Sequence, residues 1–200
     1  MIPESLAVVG ALIASFGGVV YLYDTIRGKA KPNRITWLLW GILPMIGFVA
    51  QRVQGVEGVS WATFVAGFTP LLIFLASFLN REAYWKTTTL DYACMAIAFI
   101  GIVLWAFMRD PNTAILFSIL ADLAAGVPTI RKAYTHPETE SWRSYLVSTA
   151  GFTLSLLAIH VWTFENYSFV AYFAALNALL AGLAIRGRRR PREFERARLT

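Results

Sequence analysis

The stretch TIRGKAKPNRITWLLW, residues 25–40, decides the fold, because a degraded copy of it, TIRKAYTHPETESWRSY, returns at residues 129–145. Thr25, Ile26 and Arg27 pair with Thr129, Ile130 and Arg131. Once one residue is inserted in the second loop, Pro32, Trp37 and Trp40 pair with Pro137, Trp142 and Tyr145. A register shared on both sides of a loop marks an internal duplication. Each copy joins two apolar runs, so the duplicated unit is larger than the loop.

Outward from the two loops, apolar runs cover residues 5–23, 35–51, 61–79, 89–107, 113–131, 142–161 and 166–185. Spanning a bilayer takes about 20 residues of helix, and each run approaches that length. The chain is 57% hydrophobic and 15% charged, against roughly 25% charged in a soluble domain, and its mean hydropathy is +0.55. It is therefore expected to be an all-α membrane protein. The first run has no positive charge before Arg27 and is too long for a signal-peptide core, so it counts as a true first helix. The lone Cys94 can form no intramolecular disulfide and is expected to be a small buried hydrophobe.

The net charge of +6 does not point to nucleic acid, because of where the cations lie. Lys29, Lys31 and Arg34 follow the first run, Arg81 and Lys86 the third, Arg131, Lys132 and Arg143 flank the second loop copy, and an arginine cluster follows the last run. Of the 18 cations, only Arg52 and Arg109 fall on the opposite side. The positive-inside rule then sets the N-terminus outside and the C-terminus in the cytoplasm. An inner (plasma) membrane protein is expected, with the lipid bilayer as its main partner. Three runs precede the fourth and three follow it, and a single connecting span makes the two copies enter the membrane in the same direction. The expected division is a first three-helix repeat (1–87), a linker helix (88–111), a second repeat (112–186) and a basic tail (187–200) near anionic lipid.

This layout, with Pro128-Thr129 at the inner end of the fifth run, Pro44 in the second and Asn177 in the seventh, resembles the SWEET and PQ-loop family of membrane transporters. The resemblance covers the whole chain at the level of topology. It implies two parallel three-helix bundles related by an axis along the membrane normal and alternating access for a small solute. Asn177 fits the asparagine with which SWEETs hold a sugar, and Thr69 is its repeat counterpart. Sugar carriers of the family set tryptophans toward the far half of the second helix of each repeat, whereas Trp37, Trp40 and Trp142 lie at the near ends. Sugars, amino acids and vitamin-like solutes, including nicotinamide riboside, all remain candidate substrates. No cofactor is implied, and homo-oligomerisation is left open.

Polar residues at mid-depth form the expected binding set: Ser15, Thr69, Asp122, Thr153 and Asn177. A carboxylate at bilayer depth faces a cavity or a partner. Asp122 aligns with Gly18 in the first repeat, so it was not required to build the bundle. Its expected work is to exchange a proton during the cycle or to bind a cationic group of the substrate. Trp37 with Trp40, and Trp142 with Tyr145, are spaced to share a helix face and form a candidate inner gate, the bland reading being an aromatic belt. Pro44 and Pro128 are candidate hinges. No catalytic constellation appears, so an enzyme is not expected. His136 and His160 have no companion at ligand spacing, so no metal is expected. The lysines all lie in loops or at edges, which leaves no amine for a retinal Schiff base. The alternative to a transporter is a non-transporting scaffold or sensor with the same fold.

Overall fold

The computed structural model describes residues 5–79, 85–107 and 110–197. Arg81 and Arg109, which enter the charge argument, lie outside the described residues. Among those residues the chain forms seven α-helices and no strand: α1 Ser5–Ile26, α2 Arg34–Val53, α3 Ser60–Ala76, α4 Thr89–Phe107, α5 Pro111–Thr135, α6 Trp142–Leu157 and α7 Phe164–Ala197. A short 3-10 turn, Pro137–Thr139, precedes α6. α5 runs past residue 131 and α7 past residue 185, the limits set by polarity. Polarity ends a membrane span, but it does not end the backbone hydrogen bonding of a helix.

Helix boundaries follow from local chemistry. Gly28, with φ 72°, makes the left-handed turn after α1 that a side chain would resist. Asn33 then caps α2 by accepting from the N–H groups of Ile35 and Thr36, and its amide donates to Asp91 at the start of α4. Asp110 caps α5 through Thr113, with Pro111 at the first helical position. The Thr113 hydroxyl and N–H hold the Asp110 carboxyl below the usual carboxylate range. Ser141, the residue before α6, does not cap it and donates instead to Asp24 at 2.6 Å. The second loop is thereby tied to the end of α1.

Among the described residues four helical segments, Ser5–Ile26, Arg34–Val53, Asn112–Thr135 and Phe164–Gly187, are long and apolar enough to cross a membrane. α3 and α6 are shorter, with 17 and 16 residues. The surface is apolar where a soluble protein would be polar: Leu12, Phe16, Leu75 and Phe99 are each 60–64% exposed. Asn33, Gln51 and Glu140 are meanwhile fully buried. That inversion is the organisation of a membrane-embedded protein, in which lipid accepts hydrocarbon and polar groups must find partners inside.

α3 packs against both α1 and α2, and α7 against both α5 and α6. Between these two groups α1 lies on α6 and α2 on α5, while α4 packs chiefly on α5. The α1–α6 contact is made of small residues and serines. A Cβ on Gly151 would come within 2.8 Å of the Ala14 backbone, so the two backbones touch. Ser144 donates to the Gly17 carbonyl at 2.6 Å and Ser155 to that of Ala7 at 2.9 Å. Small residues with serine hydroxyls are the ordinary means of joining helices in lipid, where no hydrophobic effect drives association.

Candidate functional site

Asp122 sits midway along α5 and is 1% exposed. The Tyr172 hydroxyl of α7 donates to its Oδ2 at 2.6 Å, whereas Oδ1 has no hydrogen-bond partner among the described residues. The backbone here is held from α2: Trp40 Nε1 donates to the Asp122 carbonyl at 3.2 Å and Thr36 to that of Ala125 at 2.8 Å. Beside the carboxylate lies a cavity of about 70 Å³ lined from every helix except α4. That is well below the roughly 300–1,000 Å³ of a drug-sized ligand pocket.

Asn177 and Thr69 line the same cavity. Asn177 donates to the Phe173 carbonyl at 2.9 Å and Thr69 to that of Val65 at 2.9 Å. Thr69 reaches the wall because α1 carries Gly18 opposite it; a Cβ there would stand 2.6 Å from the Thr69 Cβ. Ser15 and Thr153 do not line the cavity. α1 turns Ala14 and Gly18 inward, leaving Ser15 half-buried beside that face, and α6 turns in Ser144, Ser148 and Phe152, leaving Thr153 exposed. Mid-depth position selected the helical turn, and the 3.6-residue period selected the face.

At the end of the bundle that carries the two basic loops, the structure gathers Trp37, Trp40 and Tyr145 around Tyr21. The Trp37 ring lies 4.3 Å from Tyr21 and 5.3 Å from Trp40, and Tyr21 lies 5.7 Å from Tyr145. Trp142 stands apart, half-buried with the Arg143 guanidinium 5.4 Å from its ring. Beneath the aromatic group is a buried polar hub. Glu140 pairs with Lys132 at 2.7 Å, and its Oε2 accepts from the hydroxyls of Tyr21 at 2.9 Å and Tyr145 at 2.6 Å. Lys132 also donates to the Lys31 carbonyl. The hub therefore stitches α1 and the first loop to α5, the second loop and α6. Of the two prolines, Pro44 is buried inside α2 and Pro128 inside α5, where Pro128 lines a separate groove with Trp85 and His136.

Sequence reasoning did not find Glu140, Lys132, Tyr21 or Tyr172. A signal was present for two of them. Lys132 and Glu140 are charged where the first repeat has Gly28 and Ile35, the same asymmetry that drew attention to Asp122. Tyr21 and Tyr172 had none, since a tyrosine in an apolar helix looks like any other aromatic until its hydroxyl is placed.

The fold and the cavity define a class: an all-helical, membrane-embedded protein with a partly polar chamber at its centre. No protein-family model, curated protein or solved structure matches the chain.

Proposed function

We propose that the chain is a seven-span transporter that moves a small polar solute by alternating access, as two parallel three-helix bundles joined by α4. Three features of the packing support this reading. In each half the third helix touches the other two, across the halves first helix meets second helix reciprocally, and α4 lies outside the cavity. This is the pattern expected of repeats exchanged by a two-fold axis along the membrane normal, and it is how the SWEET and PQ-loop resemblance would be realised. The orientation that follows from the cations puts the N-terminus outside and the basic loops in the cytoplasm. The Glu140 hub, with Trp37, Trp40 and Tyr145, is then the closed inner gate.

The observation that carries the proposal is the convergence of Asp122, Asn177 and Thr69 on one chamber between the halves. A scaffold has no need of a buried carboxylate with an unpartnered oxygen beside such a chamber. The test is reconstitution: proteoliposomes are screened for uptake of sugars, amino acids and vitamin-like solutes, and thermal shifts of the purified protein are measured against the same set. Uptake that falls at least about tenfold in Asn177→Ala, an energy change of roughly 1.4 kcal/mol, is the expected result. No uptake and no shift with any solute class would sink the transport reading.

A further inference from the structure

The chamber's hydrogen-bonding groups are not evenly divided between donors and acceptors. Thr69 donates to Val65, Ser144 to Gly17, Tyr145 to Glu140 and Trp40 to the Asp122 carbonyl. Ser148 donates, at a longer 3.4 Å, to Ala14. Each of these lining groups thus has its hydrogen turned into the protein. Asn177 uses one amide hydrogen on Phe173, and its carbonyl oxygen can only accept. Among the described residues the lining donors outside these bonds are the second amide hydrogen of Asn177 and the indole N–H of Trp37, whose ring packs 4.3 Å from Tyr21. Against them stand the lone pairs of the hydroxyls, the Asn177 oxygen and the unpartnered Asp122 Oδ1.

Charge points the same way. Among the described residues no lysine, arginine or histidine lines the chamber, and the nearest ammonium along α5, on Lys132, is held by Glu140 and the Lys31 carbonyl. A carboxylate in a low-dielectric site without a counter-charge either takes up a proton or pairs with a cation that enters the site. The walls beside it are the rings of Trp37, Trp40, Phe152 and Phe173, whose faces attract cations. A sugar offers donors and acceptors in equal measure and would leave its acceptors facing acceptors. An ammonium offers donors and a positive charge.

We infer that the transported solute carries a primary ammonium group, which donates to Asp122 Oδ1 against the aromatic wall, while Tyr172 holds the other carboxylate oxygen in place. This rests on the transport reading above and narrows it to a substrate class.

The test pairs near-isosteric probes. Ethanolammonium and 1-propanol differ chiefly in an ammonium against a methyl, and binding to the purified full-length protein is measured by calorimetry, with charge movement recorded from proteoliposomes on a solid-supported membrane. A charge-assisted bond should favour the amine by roughly ten- to a hundredfold, with a transient current on amine addition. Asp122→Asn should lose both, and Asp122→Glu, which keeps the charge, should retain a preference and guards against a folding artefact. Equal binding of amine and alcohol, binding of neither, or an undiminished preference in Asp122→Asn overturns the inference. Uptake of sugars without amines overturns it too, yet leaves the transporter standing, whereas absence of uptake for every solute class overturns both.

Discussion

Two of the buried carboxylates, Asp122 at mid-depth and Glu140 at the basic-loop end, are held in different ways. Glu140 is saturated by an ammonium and two phenols, whereas Asp122 has a single phenol and one idle oxygen. The first arrangement suits a closure and the second a binding site. Glu140→Ala would leave the Lys132 ammonium buried without its counter-charge, and the expected cost is about 3–5 kcal/mol, read as loss of stability in chemical denaturation of the detergent-solubilised protein. Replacing both partners, Lys132→Met with Glu140→Leu, should recover most of that loss, since an apolar pair needs no compensation. Tyr172→Phe removes the one donor to the Asp122 carboxylate among the described residues and should cost about 1–3 kcal/mol by the same assay. If Tyr172→Phe were neutral, the Tyr172 bond would not be what positions the carboxylate.

Helices meet here through glycine, alanine and serine, so tolerance to added volume varies sharply along an element. At Gly151 the nearest atoms to a new Cβ are Ala14 N and Cα and the Gly10 carbonyl, all backbone, which cannot rotate away. Gly151→Ala should therefore push α1 off α6 and destabilise by about 1–3 kcal/mol. Gly182 on α7 has nothing within 4 Å of that position, and Gly182→Ala should be neutral or slightly stabilising, because glycine is about 1 kcal/mol poorer than alanine in a helix. Thermal unfolding of the two variants side by side decides the point. Asn33 links elements in another way, capping α2 while donating to Asp91 of α4. Asn33→Ala should cost about 0.5–2 kcal/mol for the cap alone, and more for the acceptor it strands.

For the molecule as a whole, the proposed seven spans place the two ends of the chain on opposite sides of the membrane. With Cys94, which is buried, replaced by alanine, single cysteines at exposed Glu138 in the second basic loop and exposed Arg52 near the end of α2 should react with an impermeant maleimide from opposite faces in intact spheroplasts. Labelling of both from one face would refute the topology. If the polar hub is the inner gate, Glu140→Gln should raise the reactivity of a Ser148→Cys probe in the chamber toward reagents arriving from the basic-loop side. A stable closure and an openable one can share these bonds, because an ion pair exchanged for water contributes little net stability.

The all-helical class, the membrane setting and the approximate place of each helix could be read from the sequence, because apolar run length and the absence of charge are properties of the chain and lipid responds to them directly. The paired loops at residues 25–40 and 129–145 also marked the end of the molecule where the buried Glu140 cluster lies, and Asp122, Asn177 and Thr69 could be singled out by depth alone. Which face each turned to could not. Ser15 and Thr153 lie at the right depth on the wrong side of their helices, and Trp142 carries the right pattern beside the wrong neighbours. The Glu140 hub draws on α1, both loops, α5 and α6 at once. A buried charge is tolerable only when such distant groups converge on it. That convergence is a property of the packed bundle, decided by where Gly10, Gly17 and Gly151 let α1 and α6 touch, and no single segment of the sequence contains it.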